Sequence, residues 1–167
     1  MVKRRKGERY TPPKIKQAKL VTADYWTLHA VARFVDPSDD VAALAQRMAV
    51  TCRKNNGLAV AAPQVGHDIR LVVLADGRAI LNPSVEPDMT HGTSLEREGC
   101  LSYPNRWWLV ERRIAVDVTG IDAFTGQPIG FSTYRGDYES TIDARMWQHE
   151  VDHLDGLVLV DRYEEVT

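Results

Sequence analysis

Between residues 36 and 57, apolar side chains recur at steps of three and four positions, which is the spacing of one buried helical face. Pro37 suits the entrance of a helix, Asp36 or Ser38 can cap the first turn, and Asn56-Gly57 is a stop signal. The pattern therefore predicts a helix from Ser38 to about Asn55. Its buried face would consist of Val41, Leu44, Ala45, Met48 and Cys52.

Short runs rich in β-branched and aromatic residues follow this helix, and turn residues separate them. Asp76-Gly77 tolerates positive φ and suits a two-residue hairpin turn, while Thr125-Gly126 divides another pair of runs. Hairpin-sized connections cannot join parallel neighbours, so we expect an antiparallel sheet. The predicted strands are residues 69–75, 78–85, 107–119 and 127–134, with a brief last strand at 157–160.

A second helix is predicted from Thr141 or Asp143 through His153, with Gly156 as the breaker just beyond it. Helices beside hairpin-connected strands indicate an α+β fold, in which antiparallel sheet packs around the second helix. With 167 residues, 44% of them hydrophobic, the chain can bury one substantial core but not two. We expect a flexible tail over residues 1–19 and one domain over residues 20–167.

Positive charge is concentrated at the amino end. Residues 1–19 hold eight Lys and Arg against Glu8, a net charge of +7, which leaves −9 for the rest because the whole chain carries −2. Few apolar residues predict a solvated, flexible segment, and the sharper alternative is attraction to RNA phosphates. The sequence has no apolar run of roughly 20 residues, no secretory signal and too few cysteines for a disulfide framework. We therefore expect a cytoplasmic protein with free thiols and no membrane contact.

The strongest chemical signal is the H-E-x-x-H pattern within Q-H-E-V-D-H-L-D-G, residues 148–156. On a helix, His149 and His153 lie one turn apart on the same face and can bind one divalent ion. Glu150 is then placed to take a proton from metal-bound water. The alternative is a pair of ordinary hydrogen-bonded histidines, but the glutamate and the following Gly156 favour a metal site.

Cys100, in E-G-C-L-S over residues 98–102, is the candidate third ligand, because zinc and iron sites commonly take three protein ligands. Considered alone, a buried cysteine is usually a small hydrophobic residue. The other histidines, His29, His67 and His91, have no motif around them. A distant glutamate as third ligand remains open, because spacing does not exclude it.

A third motif, G-L-A-V-A-A-P-Q over residues 57–64, is a run of small residues that ends in one amide. Small residues let another backbone approach closely, which suits an extended peptide, and Gln64 can donate to an oxygen near a metal. In this order and at this spacing, the three motifs resemble those of the peptide deformylases, G-φ-G-φ-A-A-x-Q, E-G-C-φ-S and H-E-x-x-H. The resemblance covers roughly residues 36–163.

This resemblance implies a metal-dependent hydrolase that removes the N-formyl group from the formyl-methionine of newly made polypeptides and releases formate. It implies iron(II) in the cell, with zinc, nickel or cobalt possible in purified protein, and a bacterial or phage-infected host cytosol. We expect a monomer. By the resemblance, the metal ligands are Cys100, His149 and His153, the general base and acid is Glu150, and the oxyanion donors are Gln64 and the Leu101 amide.

Two departures from the family pattern are visible. Ala59 replaces the second glycine of the first motif, and its methyl would stand where substrate backbone passes and so weaken or reshape peptide binding. The chain also stops soon after its last predicted strand and begins with a basic tail, so it resembles compact phage-encoded or divergent bacterial members without a long C-terminal helix. The expected loose ribosome or RNA contact is therefore assigned to residues 1–19.

Methionine selectivity would need an apolar pocket beside the metal. Leu58, Ile142 and Met146 are the candidates, since Ile142 and Met146 precede His149 on the same helical face, and core packing is the equal alternative.

Asp152, inside the metal-binding helix, is expected to orient a ligand or to pair with Arg112 or Arg113.

Two other functions stay open. One is a different H-E-x-x-H metallopeptidase, which should not require the Cys100 segment. The other is a peptide-binding relative with weak turnover, for which Ala59 is the only indication.

Overall fold

The computed structural model describes residues 15–166 and has the predicted α+β class. Its helices are α1 (Ala42–Lys54) and α2 (Tyr138–Leu154), with short 3-10 turns at Trp26–Leu28, Ala62–Val65 and Leu159–Asp161. Its strands are β1 (Ala59–Ala61), β2 (Leu71–Leu74), β3 (Ala79–Pro87), β4 (Thr93–Cys100), β5 (Tyr103–Arg113), β6 (Val116–Asp122), β7 (Pro128–Ser132) and β8 (Glu165–Val166).

The strands form two sheets, one with the order β1-β2-β3-β6-β7 and the other with the order β4-β5-β8. Every pairing between these strands is antiparallel, which confirms the prediction from hairpin spacing. The Asp76-Gly77 turn also forms as predicted: Gly77 has a φ of 100°, and the Leu74 amide donates to the Arg78 carbonyl at 2.9 Å.

Helix α2 lies between the two sheets. It packs against β1, β2 and β3 of the larger sheet and against β5 of the smaller one. Helix α1 covers the opposite face of the larger sheet, so all four residues of β2 are buried. The second helix therefore carries its histidines into the space where the two sheets meet. Within residues 15–166, no helix is long and apolar enough to cross a membrane.

Both ends of α2 are fixed by local hydrogen bonds. The Asp137 side chain accepts from the Ser140 amide at 2.7 Å, so the helix begins at Tyr138, earlier than Thr141 or Asp143. At the other end Gly156 has a φ of 73°, and the Leu157 amide donates to the Asp152 carbonyl at 2.8 Å. This is the Schellman termination that a glycine permits, so the predicted breaker is confirmed.

The predicted start of α1 was four residues too early. Asp36 and Ser38 form a separate turn, in which the Ser38 amide donates to Asp36 Oδ1 at 2.8 Å. The helix begins at Ala42, whose amide donates to Asp40 Oδ1 at 3.2 Å. Polar residues that can cap a helix can equally close a turn before it, so the composition favoured both starts.

The run predicted as one strand over residues 107–119 is two strands in different sheets. β5 ends at Arg113, and β6 begins at Val116 beside Pro87 of β3. The alternation of apolar and polar residues continues from β5 into β6, so it did not show that the chain passes from one sheet to the other. Strand β4 was not predicted, because its buried positions include Glu98 where an apolar residue would be expected.

The last predicted strand, residues 157–160, was wrong, since a 3-10 turn forms at Leu159–Asp161 and the final strand is β8. The predicted tail lies mostly outside the described residues. Within it, Ala18 is buried, and its carbonyl accepts from Thr51 Oγ1 at 2.7 Å. Among the described residues, Ala18 of the predicted tail therefore packs against the domain.

Candidate metal centre and substrate cleft

A cleft of about 620 Å³ opens where the two sheets approach α2. One wall comes from residues 55–59 at the entrance of β1, another from β4 and the turn after it, and the floor from α2. All four predicted substrate-binding residues line it, namely Leu58, Ala59, Ile142 and Met146. The predicted catalytic residues Gln64, Leu101 and Glu150 line it as well.

The three predicted metal donors lie together at the base of this cleft. His149 and His153 are one turn apart on α2, with ring centroids 4.8 Å apart and nearly perpendicular planes. Cys100, the last residue of β4, places its Sγ 3.3 Å from His153 Nε2. The three donor atoms lie within 4.8 Å of one another, and all three residues are buried. Among the described residues this is the one such cluster of metal-donor groups, so His29, His67 and His91 are not brought to it.

The electrostatics of the cluster favour positive charge at its centre. Burial opposes ionisation of Cys100, but interaction with His153 and hydrogen bonding from the histidines hold the pKa of its thiol well below the usual value. Burial likewise opposes a charged His149, yet its contacts with Cys100 and Glu98 raise its pKa well above normal. The Cys100 thiolate and the Glu98 carboxylate therefore stabilise positive charge beside the two imidazoles.

Glu98 fixes the orientation of His149. Its Oε2 accepts from His149 Nδ1 at 3.1 Å, which leaves Nε2 as the free ring nitrogen. Both Glu98 oxygens also accept from Arg112, at 3.0 and 3.1 Å, and Oε1 accepts from Arg145 Nη1 at 2.7 Å. Burial alone would raise the pKa of Glu98, but hydrogen bonds from His149 and Arg112 lower it to about 2.

Part of this network was not predicted from the sequence. The expected pairing of Asp152 with Arg112 is present, with Arg112 Nη1 donating to Asp152 Oδ2 at 2.6 Å. Arg145 was not singled out, although it lies four residues before His149 and therefore on the same helical face. A cationic residue at that spacing on a buried face was the available signal for a buried anion nearby.

Glu150 is buried, and its Oε2 has no hydrogen-bond partner within residues 15–166. Burial raises the pKa of its carboxyl, an effect that the neighbouring histidines oppose. The side chain lines the cleft without belonging to the donor cluster. It is thus a basic group with free acceptor capacity beside the three donors.

Gln64 is held with its amide nitrogen toward the donors. Its Oε1 accepts from the Ala61 amide at 2.8 Å, which fixes which end of the side chain is the oxygen, and Nε2 lies 3.4 Å from Cys100 Sγ. The first motif also approaches the second through Gly57, where a Cβ would lie only 2.8 Å from Leu101 Cδ1. The glycine therefore lets Leu101 pack against the entrance of β1.

The predicted pocket residues differ in exposure. Leu58 is exposed at the cleft mouth, Ile142 is partly buried, and Met146 is buried at the base. Ala59 is only 4% exposed and belongs to the apolar cluster beneath α2. Its methyl is therefore largely enclosed, although the residue lines the cleft.

Comparison with known proteins agrees with this geometry. The family model described as Polypeptide deformylase matches residues 17–167. The peptide deformylase of Desulforudis audaxviator is 34% identical over 123 residues, which cover 71% of this chain and 75% of that protein.

Two solved structures are similar over most of the chain. One is the deformylase of a Vibrio parahaemolyticus bacteriophage in complex with actinonin, with a TM-score of 0.72, 32% identity and coverage of 84% of this chain and 98% of that one. The other is the Met-Ala-Ser-bound peptide deformylase of Acinetobacter baumannii, with a TM-score of 0.76, 27% identity and coverage of 89% and 99%.

Proposed function

The chain belongs to the polypeptide deformylase family, and from that premise we propose how its residues divide the work of the reaction. It is a metal-dependent hydrolase that removes the N-formyl group from newly made polypeptides. The observation that carries the assignment of roles is the convergence of all three motifs on one cleft, although they are separated by up to 96 positions in the chain.

We assign the metal site to Cys100, His149 and His153. One thiolate and two imidazoles form a donor set that suits iron(II), cobalt, nickel or zinc better than magnesium or calcium, which prefer oxygen. Iron(II) is the ion proposed for the cell, with zinc, nickel or cobalt expected after aerobic handling. A divalent ion held there would supply a Lewis acid and a water of lowered pKa.

Glu150 serves as the proton carrier. Its burial raises the pKa of its carboxyl, which brings it closer to the value that suits a base at neutral pH. It removes a proton from the water that attacks the formyl carbon and delivers that proton to the departing amine nitrogen. The unpartnered Oε2 is the atom available for this transfer.

Gln64 and the Leu101 amide stabilise negative charge on the formyl oxygen. The hydrogen bond from the Ala61 amide holds Gln64 in place before substrate arrives, so its Nε2 needs no reorganisation in the transition state. Leu101 follows Cys100 directly at the end of β4, so its backbone lies beside the same centre.

The substrate binds as an extended peptide between two sheet edges. β1 is one of the two edge strands of the larger sheet, β4 is one of the two edge strands of the smaller sheet, and residues of both line the cleft. Such edges offer main-chain hydrogen bonds to an added strand. The methionine side chain would occupy the space beside Leu58, Ile142 and Met146.

The decisive experiment is anaerobic purification and metal analysis, followed by formate release from a formyl-Met peptide. Formate release with one bound metal per chain supports the proposal, and the His149→Ala variant should lose both. Cleavage of unformylated peptides without formate would instead indicate a metallopeptidase. Peptide binding without turnover in metal-loaded protein would indicate an inactive relative.

For the basic segment at residues 1–19 we propose a loose contact with ribosomal RNA, supported by its charge of +7 alone. Deleting residues 1–14 should leave hydrolysis of a short formyl-Met peptide unchanged but reduce co-sedimentation with ribosomes at low salt. Raising the salt should remove the difference, because counterions compete for the phosphates. Equal co-sedimentation of both forms at low salt would exclude this role.

A further inference from the structure

Trp107 stands out because it is a large apolar side chain left half exposed on a rigid strand. It is 49% exposed, whereas the neighbouring Trp108 is fully buried. β5 is the central strand of its sheet, and Trp107 is paired with Gly99 of β4 on one side and Val166 of β8 on the other. Its backbone is therefore fixed from both sides, while its indole ring lines the cleft.

The ring reaches the cleft because Gly99 has no side chain. A Cβ built at Gly99 would lie 3.2 Å from the nearest ring carbon of Trp107 and 3.4 and 3.5 Å from two others. The six-membered ring thus rests across the backbone of β4, the edge strand beside the donor cluster. Any larger residue at this position would push the ring away from the edge.

The two faces of β4 look toward different surroundings. Glu98 and Cys100 point inward, since they contact His149 and His153 of α2. Side chains alternate along a strand, so Gly99 faces the opposite side, where Trp107 lies. One face of β4 therefore lies toward the metal donors and the pocket on α2, and the other face contacts the exposed indole of Trp107.

We infer that Trp107 is a specificity-determining residue, which forms an apolar platform for the side chain of the second substrate residue. The inference rests on the proposed binding of an extended formyl-Met peptide in this cleft. The first side chain points inward to the pocket beside Met146, so the second must point outward, toward Trp107. An indole face contacts aromatic and large apolar groups best, so an aromatic second residue should bind there more tightly than alanine.

The test compares two peptides that differ only at the second residue, formyl-Met-Phe-Ser and formyl-Met-Ala-Ser, by the rate of formate release. Wild-type enzyme should have a kcat/KM about tenfold higher for the Phe peptide. Trp107→Ala should remove most of that preference through a higher KM for the Phe peptide, with kcat little changed, because the platform binds ground state and transition state alike. Trp107→Phe should retain much of it.

Leu109→Ala is the matched control. Leu109 is 38% exposed on the same face of β5, two residues further along, and does not line the cleft, so its loss should leave the preference unchanged. Absence of a Phe preference in wild-type enzyme would overturn the inference even if Trp107→Ala failed to fold. So would an equal loss for both peptides in folded Trp107→Ala. Formate release from the Ala peptide reports the proposed function separately, and its absence in metal-loaded enzyme would reject both.

Discussion

Two largely buried polar clusters meet at α2 and differ in how completely their polar groups are paired. The anchor cluster, Glu98 with Arg112, Arg145 and Asp152, is paired throughout: each Glu98 oxygen accepts two hydrogen bonds. The reaction cluster, Cys100 with His149, Glu150 and His153, retains polar atoms without partners within residues 15–166, namely Glu150 Oε2 and His153 Nδ1. Buried polar groups are normally satisfied, so these two unpaired atoms leave the reaction cluster with capacity to bind a proton or a ligand.

The fold therefore uses different residues to fix the geometry of the site and to carry out its chemistry. The anchor cluster has no free acceptor on Glu98 and so fixes geometry, whereas the reaction cluster can still accept protons or bind a ligand. They are joined through His149, whose Nδ1 contacts Glu98 while its other nitrogen faces the donors. Variants in the reaction cluster should therefore reduce turnover, and variants in the anchor cluster should reduce stability first.

The largest effect is expected for Glu150→Ala. This change removes the proton carrier, so kcat should fall roughly 10⁴-fold, equivalent to about 5.5 kcal/mol of barrier, while the metal content stays near wild type. Metal analysis and formate release on the same preparation measure both quantities. Metal loss equal to that of His149→Ala would show that Glu150 belongs to the ligand set.

Arg112→Met should destabilise the fold by about 3–5 kcal/mol. It removes two hydrogen bonds from buried Glu98 and one from Asp152, and so leaves charge under-compensated in the interior. Urea unfolding of metal-free protein measures the loss. Arg113→Met is the control and should change stability by under about 1 kcal/mol, because the Arg113 side chain makes a long hydrogen bond of 3.4 Å to the His91 carbonyl. Equal effects would contradict a special role for the anchor cluster.

Because of the anchor cluster, the free energy of unfolding should decrease at acidic pH. The pKa of Glu98 is about 2 in the fold against an ordinary value of 4.5, so its stabilisation is complete above about pH 4.5 and disappears as pH falls toward 2. The contribution is up to about 3 kcal/mol. Urea unfolding of metal-free protein at several pH values should show a shallower pH dependence for Glu98→Gln than for wild type. Parallel curves would mean that other carboxylates carry the acid sensitivity.

The smallest of these effects is expected for Gln64→Leu. The variant should bind metal normally but lose about 100-fold in kcat, near 2.7 kcal/mol, because one preorganised donor to the developing oxyanion is gone. Gln46→Leu, on the exposed face of α1, is the matched control and should retain wild-type kcat. An unchanged kcat in Gln64→Leu would show that this residue does not stabilise the oxyanion.

The features that could be predicted from the sequence alone are those that depend on near neighbours in the chain. The H-E-x-x-H spacing placed His149 and His153 on one helical face, and Gly156 ended that helix because positive φ is local chemistry. The hairpin at Asp76-Gly77 formed for the same reason. The family resemblance predicted that Cys100 lies beside the two histidines, because the three motifs of the family supply residues of one site.

Which distant groups lie together in the interior depends on tertiary packing and could not be predicted. Residues 107–119 alternate in polarity throughout, yet β5 pairs with β4 and β6 pairs with β3. The period of a strand shows which side chains are buried, but it does not show which strand lies beside it. β4 escaped prediction because Glu98 is buried as a charge, which is tolerable only beside Arg112 and Arg145. Local patterns cannot show such pairing, since its free energy arises only when the chain has folded.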